Sequence, residues 1–177
     1  MADFSEEDKV ERKQYFNQGV HKVAIMLAEF GETEDAEPKE FVEMTVVDPA
    51  NDDCSDKVRL WFHSTGAKQY SFSTLRSIFV HNAPEDKKDD VRTRFNAIKN
   101  TKELDAAIQK MLIGKEAWFS IYESEERTYT AQDGTVKKSY DKNIYGYEPK
   151  PKVVTVGNNE TKVEGEPVSN DQQPFGF

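Results

Sequence analysis

Residues 116–140, EAWFSIYESEERTYTAQDGTVKKSY, have the pattern of a β-strand followed by a β-hairpin. From Glu116 to Ser124, side chains alternate between two faces, which predicts a β-strand. Two further strand-like segments, 127–131 and 135–140, flank Asp133-Gly134. Asp-Gly favours the tight turn of a β-hairpin because it tolerates the positive φ that such turns require. The C-terminal half of the body is therefore predicted to be an antiparallel sheet built on this hairpin.

Further strands are predicted on both sides of the hairpin. The segments 20–30, 41–47, 58–63 and 143–148 are rich in apolar, aromatic and β-branched residues. The segment 20–30 is apolar on both faces, which predicts a strand that is buried on both sides. The Asp-rich residues 52–56 are interpreted as a solvated loop that precedes the third strand.

The residues between the third and fourth strands are predicted to be helical. Ser73 is interpreted as the N-cap of a helix over 74–82, and Asn100 or Thr101 as the N-cap of a helix over 102–112. This order predicts a β-rich α+β domain. Its architecture is expected to be an OB-fold-like, partly open barrel of five to six strands, with a helical insertion between strands 3 and 4. A different α+β sheet would show the same order of elements.

The 177 residues suit one domain with appendages. We divide them into a charged N-terminal segment (1–18), a binding domain (19–150) and a tail (151–177) that is acidic, predicted to be disordered and tipped by aromatic residues. No apolar run approaches the roughly 18 residues of a membrane span, and the N-terminus lacks the apolar stretch of a secretory signal. The single cysteine, Cys54, cannot form an internal disulfide. A cytoplasmic protein is expected.

The net charge of −9 at first argues against binding to nucleic acid, because phosphates are contacted by lysine and arginine. However, the acidic residues are concentrated at the chain ends and in predicted loops. From residue 153 to residue 177, four acidic residues stand against one lysine. The body can therefore still carry a local basic groove.

Aromatic and basic residues are interleaved around the hairpin and on the third strand. Bases of a single strand stack on aromatic faces for about 1–3 kcal/mol each, while cations follow the backbone. The predicted nucleic-acid-binding residues are Arg59, Trp61, Trp118, Tyr122, Arg127, Tyr129, Lys137, Lys138, Tyr140, Lys142, Tyr145 and Tyr147. His63 extends this set, because it shares a strand face with Arg59 and Trp61. The alternative is structural, since tyrosine also fits half-buried strand surfaces.

The sequence gives no support for catalysis. His21, His63 and His81 lack the spacing of metal ligands, and neither a Gly-rich phosphate loop nor a Gly-x-Ser-x-Gly motif occurs. The protein is therefore predicted not to be an enzyme and to use no metal and no cofactor.

The chain ends in Pro174-Phe175-Gly176-Phe177, which places two aromatic rings beside the terminal carboxylate. Such a tip docks on the body, is captured by a pocket of another protein, or is only a frayed end. The predicted partner-binding residues are Asp171, Pro174, Phe175 and Phe177.

The hairpin, the segment 142–149 (KNIYGYEP) and the tail tip together resemble phage-type single-stranded DNA-binding proteins. The resemblance implies an OB-fold body that coats and protects single-stranded DNA in the host cytoplasm. It also implies a tail that recruits replication, recombination or repair enzymes. The chain departs from the bacterial pattern in having one aspartate near its end instead of a run. Gly176 also displaces the final phenylalanine, and the helical middle from Ser73 to Ile113 is longer than usual.

Two other functional classes stay open. The acidic ends also fit an interaction protein that inhibits a host enzyme by mimicking DNA, and the tail also fits the tether of a phage structural or assembly protein. The sequence leaves open whether the chain forms homo-oligomers.

Overall fold

A computed structural model describes residues 14–153. The strands are β1 (Gly19–Glu32), β2 (Glu40–Asp48), β3 (Asn51–Trp61), β4 (Glu116–Thr130) and β5 (Val136–Tyr145). The helices are α1 (Thr65–His81), α2 (Lys88–Asn96) and α3 (Thr101–Met111), and a 3-10 turn (Glu85–Lys87) precedes α2. The five strands form an open antiparallel sheet in the order β3-β2-β1-β4-β5. The predicted β-rich α+β class is confirmed.

The predicted hairpin is present, but its strands are longer than predicted. β4 joins the two predicted segments 116–124 and 127–131, and β5 runs from Val136 to Tyr145 without a break at 141–142. Their ladder shifts register between Glu123 and Thr128, so a large bulge replaces the predicted gap. At the tip, Gly134 has a φ of +81°, and the Asp133 carboxylate accepts hydrogen bonds from the amide and hydroxyl of Thr135.

The prediction that the first strand is buried on both faces is wrong. Val23 and Ile25 are fully buried, but the next residues, Met26 and Leu27, are 55% and 45% exposed. The ladder between β1 and β2 shifts register between Ile25 and Leu27. This bulge moves the inward-facing alternation by one residue, so Ala28 continues the core face. The continuous apolar run therefore reflects a bulge and not a doubly covered strand.

The Asp-rich segment is also not a loop. β2 and β3 are joined by a two-residue turn at 49–50, in which the Ala50 amide donates to the Asp48 carboxylate over 2.8 Å. Residues 51–56 therefore belong to β3, and alternation directs Cys54 and Asp56 inward, where both are buried. An inward aspartate breaks the apolar pattern, and this explains why the sequence predicted a loop here.

The first helix begins nine residues before the predicted one. Ser64 is the N-cap of α1, and its hydroxyl accepts from the Ala67 amide over 3.2 Å; Ser73 lies inside the helix. The cap of α3 is the predicted Asn100, whose side chain accepts from the Glu103 amide over 2.9 Å.

The core lies between the inner face of the sheet and the helices. It joins side chains of β1 to β5 with Leu75 and Ile78 of α1 and Leu104 and Ile108 of α3. Gly146, directly after β5, lets the chain pass close to α1, because a Cβ at this position would lie only 2.2 Å from a backbone carbon of the helix. The Asn82 side chain ties the end of α1 to the start of β4 through reciprocal bonds of 2.7 and 2.9 Å with the Glu116 backbone.

Part of the predicted N-terminal segment belongs to the domain. Phe16 is buried and packs edge to face on Phe119, with ring centroids 5.3 Å apart. Residues 1–13, and the tail from residue 154 with all four predicted partner-binding residues, lie outside the described part of the chain. Among the helices that the structure describes, none has the length and apolar character needed to span a membrane.

Candidate nucleic-acid interface

An aromatic cluster lies on the sheet face opposite the core, where β2 and β3 pair. Phe41 and Trp61 are cross-strand neighbours with ring centroids 5.4 Å apart at an interplanar angle of 64°. Trp61 also meets His63 edge-on at 5.9 Å. The Arg59 guanidinium lies 4.3 Å from the Phe41 centroid and 6.0 Å from the Trp61 centroid, within cation–π range. We call Phe41, Arg59, Trp61 and His63 the aromatic cluster.

The Phe41 ring packs over a glycine on β1. Gly31 is the cross-strand partner of Phe41, and a Cβ on Gly31 would lie 2.8 Å from the ring. The ring therefore lies across the β1 backbone and is buried, while Arg59 covers it from above. Trp61 is half-buried, and Arg59 and His63 are exposed, so the cluster presents a planar cation, a partly exposed indole and an exposed imidazole to solvent.

Glu43 controls the charge of this face. Its carboxylate accepts from Lys57 Nζ and from Arg59 Nε, both at 2.7 Å. These hydrogen bonds, led by the bond from Lys57, hold the pKa of Glu43 below its ordinary value of 4.5. Both cations thus share one carboxylate, and a bound phosphate would have to compete with it for them.

The second exposed group of predicted residues is the hairpin arm, residues 125–140, most of which are exposed. Tyr129 and Tyr140 are 52% and 45% exposed. Tyr129 is the cross-strand partner of Lys137, so these two side chains share one face of the arm. Lys138 and Tyr140 are two residues apart on β5 and share the other face. The arm therefore pairs a tyrosine with a lysine on each face.

Part of the outer face of β4 and β5 is in contact with the chain segment after β5. Tyr122 and Tyr145 are only 6% and 4% exposed. The Tyr122 hydroxyl accepts from the Lys152 amide over 2.8 Å, which holds the chain at Lys152 against β4. Trp118 and Tyr147 are half-buried there, and burial, aided by Tyr145, raises the pKa of Tyr147 to about 12. The alternative that tyrosines fill half-buried strand surfaces describes this region.

The two remaining predicted cations are paired within the fold. Arg127 forms a salt bridge with Asp141 on the neighbouring strand. Lys142 points inward, and its Nζ lies 2.6 Å from Oδ1 of the buried Asp56 on β3. This pair links the first and last strands of the sheet order.

The structure thus divides the twelve predicted residues. It brings Arg59 and Trp61 together in the aromatic cluster. The hairpin arm exposes Tyr129, Lys137, Lys138 and Tyr140 as a second group. The other six are buried, half-buried or held by carboxylates: Trp118, Tyr122, Arg127, Lys142, Tyr145 and Tyr147.

Sequence reasoning missed two residues of the cluster face, Phe41 and Glu43. Both could have been found from the pairing of β2 with β3, because they lie opposite Trp61 and Arg59. That register depends on the two-residue turn at 49–50, which the Asp-rich segment concealed.

The described residues hold no group of three or more His, Cys, Asp or Glu side chains placed to bind a metal ion. No model of a known protein family matches the chain. A comparison with curated proteins likewise finds no match.

Proposed function

We propose that the protein is a non-enzymatic single-stranded DNA-binding protein whose binding surface combines the aromatic cluster with the hairpin arm. The observation that carries the proposal is the stack of Arg59 on Phe41 beside Trp61. Bases of a single strand stack on aromatic rings and on guanidinium planes, and the exposed Arg59 guanidinium and the half-buried Trp61 ring share one strand face here.

The sheet order supports an OB-type barrel. A five-stranded, partly open Greek-key barrel closes when β3 comes beside β5, and the Asp56–Lys142 pair already connects these two strands over 2.6 Å. OB-folds bind oligonucleotides on the face of strands 2 and 3 and with the loops after strands 1 and 4. The aromatic cluster occupies that strand face, and the hairpin arm is the connection after strand 4.

The charge of this surface favours stacking over phosphate binding. Lys57 and Arg59 share Glu43, whereas Lys137 and Lys138 have no ion-pair partner among residues 14–153. The arm is thus the part best suited to contact the backbone, and the cluster the part best suited to contact bases. In this proposal the protein coats and protects DNA in the cytoplasm, and the tail recruits replication, recombination or repair proteins.

Fluorescence anisotropy with labelled oligo-dT at two salt concentrations tests the proposal. Trp61→Ala should weaken binding by about 1–3 kcal/mol, the contribution of one stacked base. Trp118→Ala is the matched control, because the same residue type is removed from a half-buried position on β4, outside the aromatic cluster and the hairpin arm; its affinity should change little. A chain that does not bind oligo-dT at low salt would contradict the proposal and favour an acidic DNA mimic.

A further inference from the structure

A cleft of about 440 Å³ opens on the helical side of the domain. Its floor is apolar and consists of Phe62, Phe72, Ile98 and Leu104, contributed by the end of β3, by α1 and by the region around the start of α3. Phe62 and Leu104 are buried in the core, and Phe72 and Ile98 pack against it. This volume lies within the range of small-ligand pockets, roughly 300–1,000 Å³.

The rim of the cleft is mainly basic. Lys68 and Lys99 line it together with one carboxylate, Glu40. Neither lysine forms an ion pair within residues 14–153, and both are exposed. The cleft is separate from the aromatic cluster, because Phe62 and its neighbour Trp61 point to opposite sides of the strand.

The chain that continues beyond Val153 has complementary chemistry. Residues 154–177 carry four acidic residues and one lysine, and they include Asp171 and Pro174-Phe175-Gly176-Phe177. The two phenyl rings need an apolar surface, and the Asp171 carboxylate needs a cation. The cleft offers both within one small volume.

The length of this segment is sufficient for it to reach the cleft. An extended chain spans at most about 3.3–3.6 Å per residue, so 24 residues reach roughly 80 Å. A 140-residue domain has a radius of gyration of about 14 Å, so every point on its surface is within this distance. Tethering also raises the local concentration of the tip to about the millimolar range, so a weak intrinsic affinity is enough.

We propose that the cleft binds residues 171–177 of the same chain. The rings of Phe175 and Phe177 lie on the apolar floor, and the Asp171 carboxylate is held by Lys68 and Lys99. The tip is then withheld from other proteins until it is displaced. This proposal does not rest on DNA binding.

The test uses a fluorescein-labelled peptide of residues 168–177 and, as receptor, the full chain with Phe175→Ala and Phe177→Ala. Anisotropy should show saturable binding. Asp171→Asn in the peptide should weaken binding about fivefold, since the negative charge is lost. The receptor double variant Lys68→Glu/Lys99→Glu should weaken binding about tenfold or more, whereas Lys102→Glu, an exposed α3 lysine that does not line the cleft, should not. Absence of saturable binding, or equal affinities for both charge variants, would overturn the proposal.

A second measurement identifies the occupant. The chain with its native tip should bind the peptide at least about fivefold more weakly than the tip variant, because its own tip competes. Equal affinities would overturn self-docking. A dimer that forms with rising concentration and is lost in the tip variant would assign the tip to a second copy and also overturn it. Oligo-dT binding by the same samples separates the two proposals, since loss of peptide binding alone leaves DNA binding untouched.

Discussion

Replacing Glu43 by glutamine tests whether the cations beside the aromatic cluster contact DNA or only stabilise the fold. In the folded protein the Glu43 carboxylate binds Lys57 and Arg59, each at 2.7 Å, at the edge of the aromatic cluster. Exposed ion pairs contribute about 0.2–1 kcal/mol each, so Glu43→Gln should lower the free energy of unfolding by roughly 0.4–2 kcal/mol. In contrast, the affinity for single-stranded DNA should rise, because both cations become available to phosphates.

The same energies give the size of the gain. If phosphate binding breaks both pairs in the native protein, their removal improves binding by about 0.4–2 kcal/mol, which is roughly 2- to 30-fold in dissociation constant. The salt dependence should also become steeper, by up to about 0.7 in log–log slope for each cation that newly contacts a phosphate. Anisotropy with oligo-dT at four salt concentrations measures both quantities, and urea denaturation measures the loss of stability.

The control is Asp105→Asn, which makes the same change in charge on α3, away from the aromatic cluster. It should leave DNA affinity nearly unchanged. If Glu43→Gln instead left affinity and salt slope unchanged while lowering stability, the cations on this face would be structural and the proposed path of the strand would be wrong.

The pH dependence of stability gives a further check. Because the folded pKa of Glu43 is lowered, its ion pairs stabilise the fold above the ordinary pKa of 4.5. This stabilisation is lost as the pH falls through the lower, folded pKa. The stability difference between the native chain and Glu43→Gln should therefore be present at neutral pH and shrink below about pH 4.5.

Three further predictions concern the fold. Ser64→Ala should lower the free energy of unfolding by about 1 kcal/mol, because the N-cap of α1 is lost. Ser73→Ala, inside the helix, should not show this loss. Thermal unfolding of the two variants decides which serine is the cap. Lys142→Met should lower the free energy of unfolding, measured in urea, by about 1–3 kcal/mol, because Asp56 stays buried without its cation. This loss is smaller than the roughly 3–5 kcal/mol that breaking a fully buried ion pair costs, because Lys142 is partly exposed. Gly146→Ala should destabilise by more than about 1–3 kcal/mol, since the new Cβ meets helix backbone that cannot move aside; an unchanged melting temperature would contradict the close approach.

The sequence predicts best where local rules coincide with the final contacts. Asp133-Gly134 and Asn100 are examples, because a turn and a helix cap depend on residues only a few positions apart. It fails at residues 52–56 and at Met26, where a long-range contact decides. Asp56 is tolerated inside only because Lys142, 86 residues later, is directed at it. The bulge at Met26 is set by pairing with β2, which alternation within one strand does not reveal.

The same distinction explains why the structure exposes only some of the residues of the predicted interface. Tyrosines near a hairpin look alike in sequence, but Tyr122 and Tyr145 are buried, and Tyr122 is hydrogen-bonded to the Lys152 amide in the segment after β5. The exposure of a strand tyrosine therefore depends on the path of the chain after the strand, and not on the strand itself. The position of Phe41 was likewise not evident from the sequence, since only the β1–β2 register brings Gly31 beneath its ring.

The arrangement of charge on the sheet changes what the net charge of −9 implies. The sequence suggested a hidden basic groove, which would produce a steep salt dependence. On the described surface, Glu43, Asp141 and Asp56 each hold a cation that the sequence had assigned to phosphates. Of the predicted cations, Lys137 and Lys138 are left over, at the arm. Binding that depends on stacking at the aromatic cluster, with two free lysines, should therefore have a log–log salt slope nearer to about −1.5 than to the large values of duplex binders. A steep slope in the native chain would mean that these internal pairs open when DNA binds, and that Asp141 gives up Arg127 to the strand.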